Sequence, residues 1–280
     1  MERSMHPPFV TGFSAQDYLT AEAGIESAHQ NNAKHWYIDV SLESERPDQW
    51  NSDRINHIVQ QCDAYDMSPI IHGNFKAPLS SDVDELRLVS LEYVKKEIEL
   101  AKNLNAPLII HGGAIVEPRL VTIVKKKALD NFILSVEFLL NYAEKLGVEI
   151  YLENLSNYQH YSPFHYIFTY PEEVSRVLEK IPEAKIFFDV GHANIGNDPI
   201  SFFEQFHRSI VGMSFSNNNG LKDQHYGLLN GEINYYQIVE KILNVKWEGI
   251  IAFETRGKTV MQSIHELNEI CISVTKKRAA

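Results

Sequence analysis

The chain has 280 residues, 37 acidic against 26 basic, a formal net charge of −11, and a composition 44% hydrophobic and 22% charged. That apolar content can offset the entropy of ordering, which excludes a disordered chain, and the acidic balance works against a protein that grips nucleic acid through its phosphates. Cys62 and Cys271 are too few for a disulfide scaffold, no apolar run approaches the roughly 20 residues of a membrane span, and the first eight residues lack a signal-peptide core. The expectation is a soluble cytoplasmic protein.

Along the chain, short apolar runs alternate with longer amphipathic stretches. The predicted strands are 8–12, 36–41, 69–74, 107–112, 148–154, 185–190, 210–216 and 249–254. Most recur every 25 to 40 residues or so, the length of one strand-plus-helix unit. Runs such as Pro107-Leu108-Ile109-Ile110-His111 are apolar almost throughout, as in strands buried on both faces. Between the strands, Leu91, Val94, Ile98 and Ala101 recur at helical spacing in 82–104. Phe132, Val136, Leu139 and Ala143 do the same in 128–146. Asp82 and Glu85 have capping-box spacing, Gly147 reads as a helix stop, and Pro171 opens 172–181 as a first-turn proline. Eight such units point to a single α/β domain over 1–280, a (β/α)8 TIM barrel.

A barrel of this kind builds its active site where the strands end and the βα loops converge. Asp39, His72, His111, Glu153, Asp189 and Glu254 all lie late in predicted strands. His192, Asp223 and His225 lie in the loops just beyond the sixth and seventh. Taken alone, a histidine after a strand is usually a hydrogen-bonded structural residue, and Asp-Val-Gly is often a plain turn. Taken together, Glu153, Asp189 and Glu254 are three carboxylates aimed at one low-dielectric opening, and a divalent cation is the simplest compensation. Mixed imidazole and carboxylate donors suit Zn, Mn, Fe or Co rather than Ca. Asp223-Gln224-His225 spaces a carboxylate and an imidazole two apart, so both can point the same way from an extended loop.

In chain order, these segments resemble the xylose isomerase-like barrel superfamily. They are Leu152-Glu153-Asn154, Phe188-Asp189-Val190-Gly191-His192-Ala193-Asn194, Asp223-Gln224-His225 with Gly231-Glu232-Ile233 after it, and Phe253-Glu254-Thr255. The resemblance covers nearly the whole chain and is strongest over 151–257. That group holds sugar-phosphate isomerases and epimerases, hydroxypyruvate isomerases, related dehydratases and AP endonucleases of the endonuclease IV type. The resemblance implies a single divalent metal at Glu153, Asp189, Ser214 and Glu254. Ser214 stands where the family pattern has histidine, and a serine hydroxyl is a poor ligand for these metals. The three-metal, endonuclease-like members imply further metal positions at His72, His111, His192, Asp223 and His225.

The function this implies is a metal-dependent isomerase or epimerase acting on a small sugar, polyol or hydroxy-keto compound. The metal would acidify a C–H beside a carbonyl, and Glu153 and Glu254 would transfer the proton on opposite faces of an enediolate. His192, Asn154 and Arg256 are read as substrate-binding. Arg256, with Lys258, suits a phosphate or carboxylate, and Asn154 and Asn194 can orient metal ligands by hydrogen bonds. The alternative is an endonuclease IV-like phosphodiester hydrolase with several metals, or a dehydratase or iron enzyme on the same barrel. Against a nucleic-acid partner, Lys125-Lys126-Lys127 at a helix start and Lys276-Lys277-Arg278 after the last helix read as solvated faces. Ser214 is the one feature that favours a non-catalytic binding protein. The aromatic loop 156–170 reads as a substrate lid or as a subunit interface in a homo-oligomer.

Overall fold

The computed structural model describes residues 10–13, 20–255 and 260–279. Its strands are β1 (Val10–Phe13), β2 (His35–Asp39), β3 (Ser68–His72), β4 (Leu108–His111), β5 (Ala114–Val116), β6 (Ile150–Glu153), β7 (Phe164–Tyr166), β8 (Lys185–Asp189), β9 (Ile210–Phe215) and β10 (Ile250–Phe253). Its α-helices are α1 (Ala21–Gln30), α2 (Ser52–Tyr65), α3 (Asp84–Asn103), α4 (Val121–Leu146), α5 (Pro171–Lys180), α6 (Val190–Ala193), α7 (Pro199–Phe206), α8 (Tyr235–Val245) and α9 (Val260–Ala279). Eight strands close one parallel barrel in the order β1, β2, β3, β4, β6, β8, β9, β10. Closure comes from β1, which pairs Val10 with Ile250 on one side and Gly12 with His35 on the other. Among the described residues, no helix is long and apolar enough to cross a membrane.

Each of the eight predicted strands is present, shortened or shifted at its ends. Of the first, residues 8 and 9 lie outside the described residues. The helices need two corrections. α3 starts at Asp84 with Val83 as its cap, so the Asp82–Glu85 box does not form. Instead Ser81 Oγ accepts from the Val83 amide at 3.2 Å and turns the chain later. α4 begins seven residues before the predicted 128, because Val121, Ile123 and the three lysines break the apolar spacing of its first turns. The lysine run therefore lies inside α4, where Lys125 pairs with Glu173 at 3.2 Å and Lys127 Nζ donates to the Asp82 carbonyl at 3.0 Å. Gly147 ends α4 as expected, at φ +71°, a left-handed conformation that glycine adopts without steric cost.

Strand alternation arranges the barrel interior in layers, since inward side chains recur every second residue. Tyr37, Ile70, Ile109, Tyr151, Phe187 and Ala252 form one buried apolar cluster. Each lies two residues before Asp39, His72, His111, Glu153, Asp189 or Glu254. The polar crown thus stands directly on an apolar disc. Residues on the outer faces of the strands, such as Phe188 stacked on Phe202 at 4.6 Å, pack against the helices in a second core. β5 and β7 leave the barrel to pair antiparallel, Ala114 opposite Tyr166, and tie together the loops that follow β4 and β6.

Candidate active site

A cavity of about 360 Å³ opens at the carboxyl end of the barrel. Asp39, His72, His111, Glu153, His192, Asp223, His225 and Glu254 all line it. Asp189 is buried just behind, with Oδ2 3.6 Å from His192 Nδ1. The fold thus brings together residues more than 200 positions apart in the chain. Arg256 and Lys258 lie outside the described residues.

Glu153 is the hub. Its Oε2 lies 3.5 Å from His72 Nε2 and 3.6 Å from His111 Nε2, and its Oε1 lies 3.4 Å from His192 Nδ1. Burial alone would raise its pKa, but the three imidazoles hold this carboxyl well below the usual range. Burial would likewise depress His72, yet Asp39 and Glu153 on either side hold it well above its ordinary value. His111 is lowered, because burial outweighs Glu153. Asp189 is pushed up to about 8 by burial, against the pull of His192 and with Glu254, Glu153 and Asp223 adding to the rise.

The rim opposite is built from a second imidazole–carboxylate group. His225 Nε2 lies 2.6 Å from Asp223 Oδ2, and His192 Nε2 lies 3.4 Å from the same oxygen. Each histidine is oriented by a main-chain carbonyl. His192 Nδ1 is 2.9 Å from the Asn154 oxygen and His225 Nδ1 is 2.7 Å from the Glu254 oxygen, so each Nδ1 carries a proton and donates. His225 has φ +53°, a conformation uncommon outside glycine and enriched at functional sites.

Asn154, read as a substrate contact, is fully buried and does not line the cavity. Its side chain clamps Asp189 instead: Oδ1 accepts from the Asp189 amide and Nδ2 donates to the Asp189 carbonyl, both at 2.9 Å. With its carbonyl on His192, Asn154 positions two crown residues at once. Asn194 donates to Asn218 Oδ1 at 2.8 Å and braces loops rather than the crown. Asp189 and His192 are joined by a helical turn, where Asp189 Oδ1 caps α6 by accepting from the His192 amide at 2.6 Å. The aromatic loop is a wall anchored by β7: Tyr158 and Tyr166 line the cavity, while Phe168 is buried against Phe132.

Sequence reasoning missed Tyr37, Phe75 and Lys76. Phe75 and Lys76 line the cavity from the loop after β3, where no spacing marks them. Tyr37 looks like any aromatic strand residue, though its position two before Asp39 was the available signal.

The donor atoms suit a divalent cation. Among the described residues, the atoms offered by His72, His111 and Glu153 lie within 4.8 Å of one another, as do those of Glu153, Asp189 and His192. Glu153 Oε2 and Asp189 Oδ2 are buried and make no hydrogen bond closer than the imidazole contacts at 3.5 to 3.6 Å, an arrangement that a bound cation would complete.

Beside Gly73 and Asn74, just past the end of β3, Glu97 of α3 is fully buried, with Oε1 accepting from the Asn74 amide at 3.0 Å and Oε2 unbonded. Burial pushes this carboxyl up to about 8. The folded chain therefore keeps a proton that the unfolded chain releases near 4.5, so stability falls as pH rises from about 4.5 to 8. Glu97→Gln is expected to match the native chain in thermal stability near pH 5. At pH 8 it should exceed it by about 1 to 3 kcal/mol. Melting curves that run parallel across that range would contradict this.

Geometry and donors define a (β/α)8 barrel with a candidate metal-binding crown at its mouth. A family model described as xylose isomerase-like TIM barrel matches residues 21–270, and the chain belongs to that family. It is 24% identical over 275 residues to an uncharacterized protein of Methanocaldococcus jannaschii, covering 95% of this chain and 92% of the relative. It is 22% identical over 178 residues to the fructoselysine 3-epimerase of Shigella flexneri, covering 61% of this chain and 60% of that enzyme. A solved D-tagatose 3-epimerase-like protein superposes with a TM-score of 0.82 at 22% identity, over 96% of this chain and 99% of that one, and shares its fold.

Proposed function

We propose that this chain is a divalent-cation-dependent isomerase or epimerase of a small sugar or related hydroxy-keto compound, working by proton transfer beside a carbonyl. The observation that carries this reading is the pair Glu153 and Glu254. These carboxylates face one cavity from strands three steps apart around the barrel, β6 and β10. Two carboxylates so placed can take a proton from one face of a carbon and return it to the other. The fructoselysine 3-epimerase among the relatives and the D-tagatose 3-epimerase-like protein among the solved structures support the same class.

His72, His111 and Glu153 would hold the cation, with Asp189 and His192 beside them and Asp223 and His225 as further donors. Mn, Zn, Co and Fe suit this donor set. When bound, such a cation polarises a carbonyl and acidifies the neighbouring C–H. The chain does the rest. Of the His192 ring nitrogens, Nε2, 3.4 Å from Asp223 Oδ2, is the one that can meet a substrate oxygen, since Nδ1 donates to the Asn154 carbonyl. Phe75, Tyr158 and Tyr166 give the cavity an apolar wall that keeps bulk water from the reacting carbon.

A second reading, a hydrolase with several metals, is favoured by the separate His192–Asp223–His225 group. Charge weighs against a polyphosphate substrate: of the described residues lining the cavity, Lys76 is the sole lysine or arginine.

The test is chelation, reloading with Mn, Co, Zn or Fe(II), and a panel of ketopentoses, ketohexoses and amino-substituted ketoses followed by NMR. The expected result is a new epimer or isomer, lost on chelation and restored by one of the cations. A cation-loaded chain that changes no member of the panel, or that nicks abasic DNA, would contradict the proposal.

A further inference from the structure

We propose that Lys76 is the recognition group for a substrate carboxylate. The preferred substrate is then a sugar acid or other hydroxy-keto acid whose carboxylate lies at the end of the carbon chain remote from the reacting carbonyl. The inference rests on the function proposed above and narrows its substrate.

The cavity is polarised. Asp223 and His225 line one rim from the loop after β9. Lys76 lines the other from the loop after β3, four steps around the eight-stranded barrel and so directly across the mouth. Asp39, Glu153, Asp223 and Glu254 contribute four carboxylates, against the one ammonium among the described lining residues. An anion entering here is attracted by a cation on the floor and, at the rim, by Lys76. The lysine is also held in place. Its amide donates to Asn74 Oδ1 at 3.1 Å, and the Asn74 amide donates in turn to the buried Glu97. Its Nζ donates to the Ser41 carbonyl at 3.3 Å and lies 5.5 Å from the centre of the Phe75 ring. An ammonium has three protons, so that carbonyl leaves two for a ligand. Lys95 and Lys125 pair with Glu92 and Glu173, whereas among the described residues no carboxylate pairs with Lys76.

One ammonium suits one unit of charge. A phosphate monoester carries about −1.5 to −2 near neutral pH on three acceptor oxygens, and is gripped by several donors, such as an arginine fork or successive main-chain amides. The Ser41 amide and hydroxyl cannot add to the grip, because both donate to Asp39 Oδ1, at 2.9 and 2.6 Å. A carboxylate asks for no more than Lys76 offers. Depth sets where on the substrate it lies. The reacting carbonyl must reach the buried Glu153 on the floor, whereas Lys76 is exposed at the rim. Phe75, edge-on to His111 at 6.5 Å, walls the path between them. The plainer alternative is a solvated lysine tethered to Ser41, and it predicts no discrimination between neutral and acidic ligands.

The experiment compares xylitol, xylonate and xylitol 5-phosphate, which share one chain length and carry no ketone, as ligands of the Mn(II)-loaded full chain by calorimetry. The native chain should bind xylonate about 5- to 20-fold more tightly than xylitol. That preference should shrink as NaCl rises from about 0.02 M to about 0.5 M, because an exposed charge is screened. Lys76→Met should bring the preference below about twofold, and Lys76→Arg, which keeps the charge, should retain most of it. In turnover, hexuluronates should exceed the matching neutral ketohexoses by about tenfold in kcat/KM, an advantage lost in Lys76→Met through a raised KM. The inference is overturned if xylitol binds as tightly as xylonate, or if xylitol 5-phosphate binds most tightly. It is overturned too if the preference survives Lys76→Met, which would place the carboxylate on the cation or on another group, or if neutral ketoses turn over as well as the acids. A native chain that binds none of the three and turns over no substrate refutes the parent reading instead.

Discussion

Glu153→Gln is expected to lower turnover by about 10²- to 10⁴-fold, the range a single positioned proton-transfer group supplies. The substitution preserves shape and removes charge. Three imidazoles converge on that carboxylate within 3.6 Å, two on Oε2 and one on Oε1. An amide would present a donor to one side of this cluster and leave the histidines without their shared anion. Cation affinity should fall in the same variant, since both donor groups include Glu153. Steady-state kinetics and calorimetry on the folded variant check this. Turnover within tenfold of the native chain would show that another group carries the chemistry.

The second large effect is on stability. A Cβ at position 212 would lie 2.2 Å from Phe187 Cε2 and 2.7 Å from Cδ2. That ring cannot retreat, because it is a fully buried part of the disc between Tyr37 and Tyr151. Gly212→Ala should therefore cost about 2 to 3 kcal/mol through overpacking and lower Tm by roughly 5 to 10 °C. Adding Phe187→Leu to Gly212→Ala should recover part of the loss, because residues in contact do not act independently. Thermal denaturation of the three variants decides it; an unchanged Tm in Gly212→Ala would contradict the packing account.

The same strand geometry explains what could be read from the chain alone. Strands such as Leu108–His111 and Lys185–Asp189 announce themselves because a barrel strand is buried on both faces and ends in a polar side chain at the mouth. His72, His111, Glu153, Asp189 and Glu254 were legible for that reason. The start of α4 was not, since the exposed Ile123 and three lysines obscure its apolar stripe. The role of Asn154 was not either, because an amide that clamps Asp189 looks, in sequence, like one that reaches a substrate. Tyr37 and Ser214, whose hydroxyls meet at 3.2 Å, are 177 positions apart. Their contact depends on closure of the barrel and on the register that levels β2 with β9, and no local pattern encodes that. Ser214 could be seen as a departure from a family pattern, but that its hydroxyl donates to Glu254 Oε1 at 2.7 Å needed the fold.

Deuterium uptake from solvent tests proton transfer through two carboxylates most directly. The cation-loaded chain would be incubated in D2O with a substrate it turns over, and the product examined by NMR. One deuterium at the carbon next to the carbonyl in the product, and loss of that exchange in Glu254→Gln, is the predicted result. Product formed with no solvent deuterium at that carbon would contradict it.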